Sequence, residues 1–325
     1  MIQILLSTYN GGRYLGPQLE SLLSQTCQDW QLLVRDDGST DDTPGIIGDF
    51  AARHPSRVLL VSDSLGNLRP CQSFGKLLER STSPHVMFCD QDDVWQPQKV
   101  ESTIQKIKEL EARHGQETPL LVHCDLEVVD ESLRQISPSM WKYQQIVPKN
   151  ASNLARQLMM NSVTGCATMV NRALIQKALP LPTDAIMHDW WLGLVASAFG
   201  KTGYIPQPLI KYRQHANSSI GAKPPSTMEM LLRQIIQRFR PSEERERMRA
   251  EGLRSLEMHL AQERAFHDRF ANELSSEDLA VTNASLTLFD WPRFLRVYPQ
   301  LRYGLLRVGF ANNLAIAARS RYVRE

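Results

Sequence analysis

The sequence predicts an α/β fold: a mostly parallel central sheet with helices on both faces, followed by a helical C-terminal extension. Three observations carry this. Short apolar runs alternate with segments of helical spacing through the first 125 residues. Repeated strand–helix–strand units of that kind build a parallel sheet covered on both sides. Beyond the Gly- and Pro-containing stretch at 221–226, the pattern is helical alone.

The elements follow in order. Residues 2–6 are an apolar strand, and 7–12 (Ser7-Thr8-Tyr9-Asn10-Gly11-Gly12) a loop. Leu15, Leu19, Leu22 and Leu23 then recur at helical spacing. Residues 31–35 are a second strand ending at Asp36-Asp37-Gly38-Ser39, and Thr43-Pro44 opens a helix with Ile46, Ile47 and Phe50 on one face. A third strand at 57–62, a helix at 71–79 and a fourth strand at 85–89 come next. Residues 99–113 form a helix with Ile104, Ile107 and Leu110 inward, and 120–124 a fifth strand. The loops at 7–12, 36–42, 63–70 and 90–93 all leave the carboxyl ends of strands. Open α/β sheets bind their ligands there.

After Asp130 the alternation weakens. Residues 165–170 read as a strand, 188–199 as a buried helix, and 209–213 as a strand leading into Gln214-His215. Helices are expected at 228–239, 243–270 and 302–321. The organisation is thus a first unit at 1–222, whose halves meet near residue 125, and a helical region at 223–325.

Composition is that of an ordinary globular protein of 325 residues with net charge +2, so no global field favours nucleic acid. The five cysteines show no C-x-x-C spacing and are expected to be free thiols in a reducing compartment. The N-terminus lacks a basic leader and reads as a first strand, and no run reaches the roughly 20 apolar residues of a membrane span. Cytoplasmic residence is expected. From Trp291 to Glu325 there are seven Arg against one acidic residue.

The chemistry concentrates at Asp90-Gln91-Asp92-Asp93, directly after the apolar run 85–89. Three carboxylates in four residues repel one another at the end of a buried element, and a cation should compensate them. Mg²⁺ or Mn²⁺ suits carboxylate oxygens and leaves positions open for phosphate.

Taken together, Ser7-Thr8-Tyr9-Asn10, Arg35-Asp36-Asp37-Gly38-Ser39-Thr40-Asp41-Asp42-Thr43, Asp90-Gln91-Asp92, His188-Asp189-Trp190-Trp191 and Tyr212-Arg213-Gln214-His215 form an ordered set over about residues 1–220. This set resembles glycosyltransferase family 2, inverting sugar transferases of the GT-A fold. The Asp-Gln-Asp-Asp-Val-Trp and His-Asp-Trp-Trp variants look most like bacterial rhamnosyltransferases of cell-surface polysaccharide or lipopolysaccharide. The resemblance makes 1–222 a catalytic domain, with a donor half to about 125 and an acceptor half from about 126.

The resemblance also implies roles. Thr8 and Tyr9 would meet the donor's pyrimidine base, and Asp36 would accept its N3–H, with Asp37 holding the loop. Asn67 would lie near base or ribose, although Gly66-Asn67-Leu68-Arg69-Pro70 departs from the family's usual pattern there and leaves that loop's contacts open. Asp90 would lie by the ribose or the metal; Asp92 and His215 would be metal ligands. Asp189 would be the general base that takes the acceptor hydroxyl's proton. Of Trp190 and Trp191, both candidate acceptor contacts, one would stack on a sugar and the other join the core. The implied donor is dTDP-β-L-rhamnose, and the acceptor a glycan or lipid-linked precursor. A UDP-hexose or UDP-galactofuranose transferase is the alternative within the fold.

A nucleotidyltransferase also combines a nucleotide with an acidic metal site, but residues 7–13 lack the Gly and Lys density of its phosphate loop. A dinucleotide-binding dehydrogenase fails on the missing G-x-G-x-x-G after the first strand. A non-catalytic sugar-nucleotide-binding protein is disfavoured by the full set of Asp90, Asp92, Asp189 and His215. The C-terminal mixture of Phe294, Leu295, Val297, Leu301, Leu305, Leu306, Val308 and Phe310 with Arg293, Arg296, Arg302 and Arg307 suits an anionic lipid surface, the catalytic domain or a second subunit of a homodimer.

Overall fold

The computed structural model describes residues 1–215, 242–292, 295–307 and 313. The expected boundary at 221–226, the helix at 228–239 and most of 302–321 lie outside these residues.

The donor half follows the expected alternation. It runs β1 (Ile2–Thr8), α1 (Gly12–Leu23), β2 (Trp30–Asp36), α2 (Thr43–Arg53), β3 (Val58–Leu60), α3 (Arg69–Arg80) and β4 (His85–Cys89). A two-residue strand, β5 (Val94–Trp95), precedes α4 (Lys99–His114) and the long β6 (Leu120–Val129). The second half holds β7 (Gln135–Ser137), α5 (Met140–Gln144), α6 (Leu154–Met159), β8 (Thr168–Asn171), α7 (Arg172–Ala178), α8 (His188–Phe199) and β9 (Lys201–Arg213). The described C-terminal helices are α9 (Ser242–Phe270), α10 (Ser276–Leu286) and α11 (Val297–Tyr303).

The nine strands among the described residues form one sheet in the order β3-β2-β1-β4-β8-β6-β9-β5, with β7 on β6. The first four are parallel, as expected. The second half is mixed: β8 runs antiparallel to both β4 and β6, whereas β6 and β9 are parallel. Strand β9 is longer than the expected 209–213. Its pairing with β6 survives Pro206 and Pro208 because the register shifts there, from Cys124 opposite Ile205 to Asp125 opposite Pro208. The short helices α5, α6 and α7 start at Ser139, Asn153 and Asn171, whose side chains accept backbone N–H groups of the first turn.

Side chains alternate across the sheet. Ile4 and Leu6 of β1 face a core with α1, α2 and α4, and Leu5 faces the other side. That second core takes in α3, α6, α7 and α8 and continues into Leu256, Phe266, Phe270, Leu288 and Leu305 of the C-terminal region. Helix α8 is its centre. Trp191 is fully buried, its indole N–H donates to Ala178 O (3.0 Å), and it packs on Phe266 and Phe270 at 5.9 and 6.1 Å between ring centroids. On the outside, Leu295, Tyr298 and Leu301 are exposed beside Trp291. No helix among the described residues is long and apolar enough to cross a membrane.

Replacing Trp191 by Ala removes the indole that joins α8 to α9. The variant is expected to lose about 3–5 kcal/mol of unfolding free energy, read from the shift of a denaturant midpoint at unchanged slope.

Candidate active site

Strand β1 lies between β2 and β4, so the order in which successive strands join the sheet reverses there while all three stay parallel. The loops leaving these strands part at that point and open a crevice. The resulting cleft measures about 830 Å³ and is lined by residues 7–11, Asp37, Gly38, Asn67, Arg69, residues 90–92, Glu131, Tyr212, Arg213 and His215, among others.

Its floor on the β2 side is tied by Arg35, a buried arginine at the end of that strand. Nε and Nη2 grip Asp63 (2.9 and 3.1 Å), and Nη2 also donates to Gly66 O (2.9 Å). Nη1 donates to Asp37 and to Ser73 Oγ (3.0 Å). All five guanidinium N–H groups therefore have acceptors. Asp37 in turn accepts Leu68 N–H (2.7 Å), so β2, the 63–68 loop and α3 converge on one cation. Asp36 serves the next loop. Its carboxylate accepts the Thr8 and Ser39 hydroxyls (2.8 and 2.6 Å) and the N–H groups of Gly38 and Ser39 (3.2 and 2.8 Å). Asp37, rather than Asp36, belongs to the cleft lining, while Tyr9 projects into solvent at its mouth. Asn67 Oδ1 accepts Arg69 N–H (3.2 Å), which holds Arg69 at a φ of 62° on the cleft wall.

The acidic loop after β4 is stitched to β1 by Gln91. Its side-chain carbonyl accepts Tyr9 N–H (2.8 Å), and its amide donates to Tyr9 O (3.0 Å). A Cβ on Gly11 would overlap this amide, so a larger residue there would have to push the Gln91 side chain aside and break its bonds to Tyr9. Asp92 meets His215 Nε2 at 2.7 Å, and the His215 ring lies 4.7 Å from that of Tyr14. Asp90 instead groups with Asp93 and the Cys166 thiol. Burial, then the charges of Asp92 and Asp189, push the Asp90 carboxyl well up. Asp93 is fully buried; its Oδ1 accepts Arg213 N–H (3.2 Å), and burial with Asp92 and Asp90 raises it too.

Protein cations answer part of this charge. Arg213 donates through Nε to Asp92 O (2.8 Å) and through Nη1 to Glu131 O. Lys99, fully buried at the start of α4, donates to Cys166 O (2.8 Å) and lies over the Trp95 ring. Burial lowers its ammonium to about 8.

Asp189 lies in the first turn of α8, after Met187 has taken the N-cap position. Its Oδ1 accepts Asn161 Nδ2 (3.1 Å) and Trp190 N–H (2.6 Å), and Oδ2 accepts Gly165 N–H (2.7 Å). Burial raises its carboxyl to about 6, against the lowering pull of those donors. His188 is sandwiched between Phe74 and Phe88 at 4.2 and 4.8 Å, and burial lowers it to about 3. It is a neutral imidazole pressed against Gly165, where a Cβ would come within 2.7 Å of its Nε2.

The model of glycosyl transferase family 2 matches residues 3–178. The chain belongs to glycosyltransferase family 2. An uncharacterised glycosyltransferase of Nostoc is 25% identical over 68% of this chain and 67% of its own length. The dTDP-rhamnosyl transferase RfbG of Shigella flexneri is 24% identical over 67% of this chain and 74% of its own. The match covers 59% of the length of mycobacterial relatives and 34% of that of a Rickettsia felis glycosyltransferase. The structure of Staphylococcus aureus TarS residues 1–349 superposes with a TM-score of 0.56 at 15% identity, covering 95% of this chain and 75% of that one, which shows a shared GT-A fold.

In this glycosyltransferase, Thr8, Asn67, Asp90, Asp92 and His215 come together around one cleft, and Asp189 is near enough to Asp90 for its charge to be felt there. The acceptor expectation is corrected for Trp191, whose buried indole is part of the core. Trp190 is half-buried, donates to Gln157 O (2.7 Å) and faces His259 of α9 in a separate cavity of about 260 Å³. Arg35, Gln91 and Arg213 stood within the sequence motifs without a role assigned to them, and Lys99 and Glu131 were not singled out. Their importance comes from contacts made across 28 to 121 residues, as in Arg35–Asp63 and Arg213–Asp92.

Arg35→Met leaves Asp37 buried without its cation. We expect a loss of about 3–5 kcal/mol in stability, measured by chemical denaturation, together with weaker nucleotide binding by calorimetry.

Proposed function

We propose that this glycosyltransferase moves L-rhamnose from dTDP-β-L-rhamnose to a surface polysaccharide, lipopolysaccharide or lipid-linked acceptor with inversion at the anomeric carbon. The observation that carries the transfer chemistry is Asp189: one carboxylate, fixed by three donors, with its carboxyl raised to about 6. A base of that strength is ionised at neutral pH and still takes a proton from a hydroxyl as it attacks. The second lone pair of Oδ2, beside the Gly165 N–H, is the proton's destination. Rhamnose as the sugar is supported by the motif resemblance and by the weak similarity to the Shigella enzyme.

On this reading Thr8, Tyr9, Asp37 and Asn67 face the nucleoside, and the Arg35 network keeps their loops in register. Asp36 acts from behind them through the Thr8 hydroxyl. Asp90, Asp92 and His215 would hold Mg²⁺ or Mn²⁺. The residues fit such an ion: they offer carboxylate oxygens and an imidazole, and the half-buried carboxyl of Asp90 is destabilised by its anionic neighbours. When bound, the ion would offset charge developing on the departing nucleoside diphosphate. Arg213 holds the acidic loop against the 131 region and keeps the metal-binding side chains aimed at the cleft. We further propose action at the cytoplasmic membrane face, where exposed Trp291, Leu295, Tyr298 and Leu301 and the arginine-rich C-terminal sequence would meet anionic lipid.

Asp189→Asn is expected to lower turnover by about 10²-fold or more with donor affinity nearly unchanged. In the wild type, kcat/KM should fall as pH drops below about 6, since protonation of Asp189 removes the base. Equal losses of donor affinity and thermal stability in the variant would make Asp189 a structural residue.

Donor and stereochemistry are tested together. Given a panel of sugar nucleotides, the enzyme should use dTDP-β-L-rhamnose, should stop in excess EDTA and recover with Mg²⁺ or Mn²⁺, and should give an α-L-rhamnoside by NMR. A β-product refutes inversion; transfer from UDP-hexoses alone refutes the donor and leaves the mechanism.

A further inference from the structure

We propose that Asp90, Asp93 and Cys166 form a second, thiophilic metal site beneath the cleft, which captures Zn²⁺ or Cd²⁺ and withdraws Asp90 from the donor side. The Cys166 Sγ and one carboxylate oxygen from each aspartate lie within 4.8 Å of one another. Small side-chain rotations bring three such atoms onto one ion. Asp93 and Cys166 are almost fully buried, on the loop after β4 and the turn at Gly165–Ala167 respectively.

A second observation points to a ligand. Asp93 Oδ1 is satisfied by Arg213, but Oδ2 is buried without a hydrogen-bond partner of ordinary geometry. A carboxylate oxygen in that state is costly unless a cation reaches it. Among the described residues, the Cys166 thiol is a weak donor lying against both carboxylates, and Lys99 acts on them through its charge without a hydrogen bond. Lys99 does not fill the place: its ammonium is committed to Cys166 O and the Trp95 face. Asp90 also lines the cleft, so an ion has an entry route from solvent.

The ligand set selects the ion. A thiolate is a poor partner for Mg²⁺ and a good one for Zn²⁺ or Cd²⁺. Burial keeps the Cys166 thiol protonated in the empty site, and the arriving ion displaces that proton to solvent. Two carboxylates, one thiolate, a divalent ion and the Lys99 ammonium then balance to zero net charge, which suits a buried site. The pair Asp92–His215 stays on the cleft side, so Asp90 is the one ligand shared between the hard-ion and soft-ion arrangements. Inhibition follows from that sharing and rests on the metal-dependent reading above; capture of the ion does not.

Cd²⁺ titrated into the full chain is expected to produce the ultraviolet thiolate-to-cadmium charge-transfer band at one equivalent. Cys166→Ser should lose the band, Asp93→Asn should weaken it, and Cys27→Ser should keep it. No band in the wild type, or a band that persists in Cys166→Ser, overturns the site. Should Cys166→Ser fail to fold, anomalous scattering from a cadmium-soaked wild-type crystal decides. Density among Asp90, Asp93 and Cys166 supports the proposal, and cadmium solely at Cys27 or at Asp92–His215 overturns it. Zn²⁺ should inhibit donor cleavage in the wild type and not in Cys166→Ser; equal inhibition of both refutes the regulatory consequence while the band reports capture separately.

Discussion

Like-charge repulsion at the end of β4 is the constraint around which this molecule is arranged. Asp90, Asp92 and Asp93 leave a strand buried on both faces, and Asp189 approaches from α8. Four carboxylates at the meeting of two elements are unfavourable in a low dielectric. The protein answers from three directions: Lys99 from below, Arg213 from β9 and His215 from the chain after β9. Those partners come from the beginning of α4 and the far end of the sheet. The acidic loop therefore couples the sheet's two halves as well as forming the floor of the cleft. Of the four, Asp90 is the one that lies between the cleft and the buried Cys166.

Much of the donor half was legible in the sequence because its strands are apolar on both faces and its loops are chemically distinct. Residues 85–89 are the strand expected, and the helix at 188–199 has the expected bounds. Where local pattern carried less information, the reading was thinner. α5 and α6 have five and six residues, too few for a helical period to repeat. Strand β9 contains two prolines, and only its pairing with β6 explains how it continues past them. The antiparallel insertion of β8 between β4 and β6 was invisible, since strand direction is set by partners far away in sequence.

The site divides in the same way. Residues whose role lies in their own functional group, such as Asp92, Asp189 and His215, stand out from motif and type. Residues whose role is to hold others do not. Gln91 occupies the variable place of the acidic motif, yet it is the hinge pin between β4 and β1. Arg35 reads as one more strand-end arginine until Asp63, Gly66 and Ser73 are brought to it by the fold. Trp190 and Trp191 show the converse. Adjacent aromatics beside Asp189 invite assignment to substrate, but a helix sends neighbouring side chains about 100° apart, and Trp191 points to the core.

The shared packing of α8 with the C-terminal helices has a bearing on modularity. The family match stops at residue 178, before Asp189, and the core beneath Asp189's helix is completed by Phe266, Phe270, Leu288 and Leu305. The recognisable segment is thus not a portable catalytic unit. Transplanted or truncated near residue 222, it would expose the Trp191 face to water, and the helix presenting Asp189 would lose its backing. Divergence in the C-terminal third is consequently bounded by volume and shape, even where no residue there touches a substrate.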